Sequence, residues 1–380
     1  MKRKIKTLII FLIAINGGFV SAQKTDTWYR FYDSNSNLFG YKDLKGNLKI
    51  SPKFSEKTKS QLFNDIIAVN EITKEKAFEY YLLKNGLKIG LDSVCVREYN
   101  DVFTGYDCES ESKIAFRDKK TSKVGFFDKN GKVIIPAIYN EASPFRNGIS
   151  TVIIGAKREC LDKSQDNLNC VYFNWDGGRV ALINEKNEII VDNLKNGTID
   201  IDWYSLTINS PHIDTTLFTS YIGKANRVYS FRNFDKEFRK WLYGNFIPKL
   251  NDKNAIIDSF LFDEIKYKND DGIKLLNKRQ FIDFYPKKYL ASDLDSTKFQ
   301  LSPDRANVGE FFTIQNSKFS QYLNYCGDYN FYRFPIYKLW ISKKSENKNS
   351  LTSRNTDNMF FEFLRTEKGY KLIGVSAMYF

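Results

Sequence analysis

Apolar and polar residues follow two different rhythms along the chain, and the change falls near residue 230. Upstream, short β-prone runs alternate with compact polar turns. Phe126-Phe127 and Val133-Ile134-Ile135 are two such runs, built from residues that suit a pleated, half-buried surface. Between them stands Asp128-Lys129-Asn130-Gly131. The Asn-Gly step predicts a two-residue hairpin loop with left-handed backbone angles at Gly131. Pro136 is expected to end the second strand, because it removes a ladder donor. Tyr139-Asn140 and Phe145-Arg146-Asn147-Gly148 follow, and residues 149–154 read as a third strand. Such a β meander cannot bury its own apolar face; stacked neighbours would bury it.

The same string occurs earlier, as Phe39-Gly40-Tyr41-Lys42-Asp43-Leu44-Lys45-Gly46 and on to Pro52. Gly46 takes the place of Gly131 and is expected to share its turn. A weaker copy spans residues 80–90 around Asn85-Gly86, and a worn fourth spans 180–191. A Gly ahead of an Asp-Lys-x-Gly turn, an apolar strand, a Pro, a Tyr-Asn and a Phe-x-x-Gly together resemble the WG-repeat family of bacterial β-repeat proteins. Phe39 and Val124 stand where that family has Trp. The resemblance implies a repeated β domain, often exported or surface-associated, with interaction as the expected role.

Downstream the period lengthens. A polar connector at 212–216 leads to an expected strand pair across 217–231. Phe238, Trp241, Leu242, Phe246 and Leu250 then fall at helical spacing, with Lys236, Glu237, Arg239 and Lys240 mostly opposite. Asp235 is the expected cap, and Pro248 the expected kink or stop. Strands are predicted at 334–341, 359–364 and 370–379, the last two joined by Glu367-Lys368-Gly369. A helix followed by long antiparallel strands resembles the cystatin-like or nuclear-transport-factor-like cone fold. The expected fold class is therefore a mostly β N-terminal repeat domain of stacked meanders, residues 23–225, followed by an α+β C-terminal domain with a curved antiparallel sheet, residues 230–380.

Residues 1–22 carry a different pattern. Four of the first six residues are basic, residues 8–15 are apolar, and Val20 and Ala22 supply small side chains before Gln23. That is the pattern of a signal peptide cut after Ala22. The apolar run falls short of the roughly 20 residues a spanning helix needs, so no stable membrane anchor is expected after cleavage. Net charge is +13, but four of the positive charges lie in the first six residues and no long basic run follows them, so no nucleic-acid partner is expected.

Export bears on the five cysteines. In an oxidising compartment the near neighbours invite pairing, Cys95 with Cys108 and Cys160 with Cys170, leaving Cys326 odd. With His212 the only histidine and no Cys-x-x-Cys pair, no metal site is expected, and no cofactor motif is present. Asp162, Ser164 and Asp166 have calcium-loop spacing, but Asn167 and Phe173 stand where that loop needs Gly and Glu. Asp200 with Asp202 could form half of an acid–base pair. Glu362, alternating with Phe360 and Leu364, is the candidate to face a pocket in the cone. No catalytic residue is assigned. The expected function is a non-catalytic binding or surface-interaction scaffold for a protein or cell-envelope component. The alternative is an enzyme or small-ligand binder that uses the cone's pocket.

Overall fold

The computed structural model of the chain describes residues 26–91, 93–96, 107–161, 173–194, 200–210, 212–249, 259–269, 272–284, 299–305, 321–327, 329–343 and 358–378. The expected signal peptide, Cys170, the calcium-like residues 162–167 and the Cys95 side chain lie outside them.

The repeat unit owes its shape to its turn. The Gly131 N–H donates to the Asp128 carbonyl at 3.0 Å, and the Asp128 N–H to the Lys132 carbonyl at 2.9 Å. The Asp128 carboxylate accepts from the Asn130 and Lys132 N–H groups, both at 2.9 Å. Gly131 has φ 78°, and Asn130 is not among the residues with positive φ. The loop is therefore a three-residue hairpin, a tight turn followed by one left-handed residue, rather than the expected two-residue loop. The carboxylate decides this by tying down two amides beyond it. Asp43 and Gly46 (φ 85°) repeat the arrangement in the first copy. In the fourth copy Asn184 plays the aspartate, and Asn187 takes the left-handed place at φ 62°.

The other motif positions have equally local reasons. Strand Val133–Tyr139 runs through Pro136 instead of ending there, and its register against Val124–Asp128 shifts. The shift drives the Ile135 carbonyl to within 2.6 Å of where a Cβ on Gly125 would lie. Gly40 meets the Ile50 carbonyl in the same way at 2.5 Å. Only glycine admits that approach. The Asn140 side chain joins the Ala156 backbone in both directions, and Phe145 packs edge-on against Phe126.

The copies stack as sheets with apolar layers between them. The first sheet holds seven strands between Trp28 and Ile89; the second holds Val94–Val96, Lys113–Asp118, Val124–Asp128 and Val133–Tyr139; the third includes Ile149–Ile154, Arg179–Asn184 and Ile189–Val191. Alternation along each strand feeds both neighbours. Ile114 and Phe116 meet Tyr81 and Leu83 of the first sheet, while Ala115 joins Phe126, Val152 and Ile183 toward the third. Leu182 turns the other way, onto Trp203, Tyr229 and Phe231.

That last layer belongs to the expected connector. Strands Phe218–Ile222 and Val228–Arg232 form the predicted pair, and Thr207–Ile208 adds a third strand. Tyr221, Tyr229 and Phe231 are buried, so this strand pair is folded onto the stack.

Helix α1, Phe234–Trp241, follows at once. Asn233, not Asp235, caps it by accepting from the Lys236 N–H; Asp235 sits in the first turn and pairs with Arg239. A π-turn at Leu242–Phe246 carries the helix into Ile247–Lys249. Pro248 has no N–H to donate and crowds the carbonyl four residues back, which favours a widened turn there.

Phe238 stacks on Tyr337 at 4.5 Å, and Phe246 meets Phe363 at 4.8 Å. Helix α1 thus fills one face of a six-stranded sheet. The strand order is Gly272–Asn277, Leu261–Asn269, Gly369–Met378, Asn358–Thr366, Ile336–Lys343, Phe299–Arg305. Leu261–Asn269 lies parallel to Gly369–Met378, and the other neighbours are antiparallel. The predicted antiparallel sheet is therefore mixed: a parallel pair needs a long crossover, here supplied by the chain that carries the other four strands of the sheet. Register shifts at Leu261/Lys266 and Glu362/Phe363 bend it around the helix.

Candidate functional site

The repeat stack and the α+β region meet along a seam with three fastenings. The first is covalent. Cys108 and Cys326 form a disulfide across 218 residues of sequence, with Cα atoms 5.6 Å apart. This corrects the expected Cys95–Cys108 pair and gives the odd Cys326 its partner. Cys160 is buried and also disulfide-bonded.

The second fastening is the segment around Cys326. The Gln61 N–H of the first sheet donates to the Tyr325 carbonyl at 2.9 Å. On either side of that contact, Tyr322 and Phe334 pack with Ile336, Leu364 and Ile373, on the sheet face away from helix α1. Residues 321–327 and 329–335 therefore act as a strap whose ends, at Tyr322 and Phe334, lie on the C-terminal sheet and whose middle, at Tyr325 and Cys326, lies on the repeat stack.

The third is ionic. Arg365 pairs with Asp202 at 3.4 Å and with Glu237 of helix α1 at 3.1 Å. The Tyr370 hydroxyl donates to the Phe234 carbonyl at 3.2 Å. Asp202 accepts from the Tyr204 N–H at the head of a short 3-10 turn. Burial holds its carboxyl above the ordinary aspartate value of 3.8, against the pull of Arg365. The folded state therefore binds that proton more readily than the unfolded chain, and stability falls as pH rises through this interval. Asp202→Asn is expected to flatten that part of a pH–stability curve measured by urea unfolding. Arg365→Ala leaves two carboxylates facing each other in a half-buried seam and is expected to cost about 2 kcal/mol, below the figure for a fully buried pair.

A cleft of about 80 Å³ opens beside the disulfide, lined by residues 107–110, Pro144, Arg146, Tyr204, Asn324, Cys326 and 329–332. Its walls come from both halves. The Arg146 guanidinium lies 3.6 Å over the Tyr332 ring, whose centroid is 3.9 Å from that of Phe331. Arg333 sits 5.1 Å from the Tyr204 ring centre. Tyr204 is 46% exposed as a residue, yet burial of its hydroxyl end and the Glu111 carboxylate push its pKa up to about 12, so it is protonated at neutral pH. Glu109 is buried and accepts from the Asp65 and Ile66 N–H groups at 3.0 and 3.2 Å. Glu111 accepts from the N–H groups of Asn147 and Gly148. The Asn324 side chain accepts from the Cys326 N–H at 2.9 Å. Structural hydrogen bonds thus hold these groups in place, which is how a rigid recognition surface is built.

Glu362 is elsewhere. Phe361 and Phe363 turn toward helix α1, so Glu362 lies on the opposite face, 3.2 Å from Lys338 and close over Gly374. Beneath the helix the space is packed with rings. His212 is exposed. Of the cleft residues, the sequence singles out Cys108 and Cys326 as cysteines and Arg146 as part of the repeat motif, and none of them as a binding residue. The strand predicted at 334–341 begins two residues later, at Ile336.

A family model for the WG containing repeat matches residues 125–157, the third copy and the strands that complete it. No curated protein matches the chain. Among solved structures, an NTF2-like protein from Cytophaga hutchinsonii is similar at 14% identity over 38% of this chain and 92% of that one, with a TM-score of 0.18.

Proposed function

We propose that this chain, with its WG-type repeats, is an exported, non-catalytic binding protein. The stacked repeats are a scaffold, and the partner is a protein or cell-envelope component. The observation that carries the reading is the seam cleft. It is assembled from both halves beside a disulfide, and the Glu109, Ser110 and Asn324 side chains on its walls are fixed by hydrogen bonds to the backbone. Supporting it, the helix-facing side of the C-terminal sheet is filled by Phe238, Tyr337, Phe361, Phe363 and Tyr370, where a cone enzyme would keep its pocket. A disulfide also fits an oxidising compartment.

Two measurements test the proposal. N-terminal sequencing of the protein recovered from envelope or medium is expected to begin at Gln23; an intact Met1 in the membrane pellet removes the export half. Affinity capture from an envelope fraction is expected to retain a component on the wild-type chain and to lose it when Arg146 and Tyr332 are both changed to Ala. Equal capture by both proteins removes the cleft as the binding place.

A further inference from the structure

We infer that the seam cleft binds a neutral saccharide bearing an N-acetyl group, an inference that rests on the binding role proposed above and names its ligand class. Charge comes first. Arg146 shares the cleft with the buried carboxylates of Asp107 and Glu109, so a phosphate would meet two repelling groups and a cation one. A neutral polar ligand meets none.

Shape comes second. The cleft has room for roughly five to eight water-sized atoms, which suits a short polar arm but not a whole hexose ring. The ring must then lie across the mouth. There the 46% exposed Tyr204 and half-buried Phe331 offer aromatic surface, and a sugar ring carries an apolar C–H face that packs on such surface.

The arm's chemistry comes third. An acetamido group brings one N–H donor, one carbonyl acceptor and a methyl. Asn330 lines the cleft with an amide that can accept from the first and donate to the second. Pro144 and Phe331 line the same cleft and give the methyl an apolar seat.

The test is calorimetric titration of the mature, oxidised full chain with chitotriose and, in parallel, cellotriose, which shares the ring but lacks the acetamido arm. Chitotriose is expected to bind, and cellotriose to bind at least about tenfold more weakly. Asn330→Ala and Tyr204→Ala should each weaken chitotriose by about tenfold or more, while Tyr204→Phe, which keeps the ring, retains binding. Asn330 supports the strap through its backbone, accepting from the Arg333 and Phe334 N–H groups, so the alanine variant should keep the wild-type melting temperature. No heat with chitotriose up to about 10 mM overturns the inference, as does equal binding of cellotriose or binding untouched by both alanine variants. Capture of an envelope component that persists in Asn330→Ala, alongside absent saccharide binding, overturns the ligand class and leaves the binding role standing.

Discussion

Cys326→Ser is expected to cost about 3–5 kcal/mol and to lower the melting temperature by about 10 °C. The bond it removes closes a loop of 218 residues, and the chain-entropy stabilisation of a cross-link grows with the loop it closes, reaching about 5 kcal/mol at this length. The loss is also local. Without the bond, the strap keeps its backbone contact to Gln61 and its ring packing at Tyr322 and Phe334, but nothing covalent holds it to the repeat stack. Limited proteolysis within 321–335 should therefore speed up before either half unfolds. Cys108→Ser should behave alike, and the double variant should be no worse than either single one, because the three proteins lack the same bond. An unchanged melting temperature in both single variants, with the strap still protected, would show that the two halves are held together without the disulfide.

The strap and the hairpin turns mark the two ends of what the sequence discloses. A turn is decided within five residues. Asp128, Asn130 and Gly131 carry their own geometry, so two copies were legible by eye and the fourth in outline. The loop length was misread, because a side-chain carboxylate, and not the Asn-Gly step alone, sets the turn type. Helix α1 was legible from its spacing, although its cap lay two residues earlier than expected. The disulfide was not legible. Near neighbours such as Cys95 and Cys108 cost least entropy to join, but a disulfide forms where the fold brings Cα atoms to about 6 Å, and that is a tertiary fact. The cleft was hidden for the same reason. Residues 107–110, Pro144, Arg146, Tyr204, Asn324, Cys326 and 329–332 come together only when the stack docks on the sheet. One cue did exist: a lone Cys326 beside a Tyr- and Arg-rich run that breaks strand alternation at Asn330 and Arg333.

The stacking of the copies is open to a direct test at the repeated glycine. Gly131→Val should destabilise the chain by about 3–4 kcal/mol, and Gly46→Val by only about 1–2 kcal/mol. Both glycines hold left-handed angles, φ 78° and 85°, so a β-branched residue at either pays the same conformational cost of about 1–2 kcal/mol. Their surroundings differ. A Cβ on Gly46 meets nothing within 4 Å, whereas one on Gly131 lies 2.8 Å from Ile89 Cδ1 and 3.1 Å from Leu83 Cδ1. Those two side chains belong to the second copy, so the extra loss, about 1–3 kcal/mol of overpacking, measures the contact between one repeat and the next. Paired urea titrations of the two variants isolate it as a difference in midpoint at constant slope. Ile89→Ala should recover part of the loss in the Gly131→Val background and none in the Gly46→Val background. Equal destabilisation of the two glycine variants, with no recovery, would mean that the turn of the third copy does not rest on the second. A rival view makes Asn130-Gly131 part of a ligand loop. It requires Gly131→Val to abolish partner capture while leaving the melting temperature where it was, the reverse of what a buried contact between repeats demands.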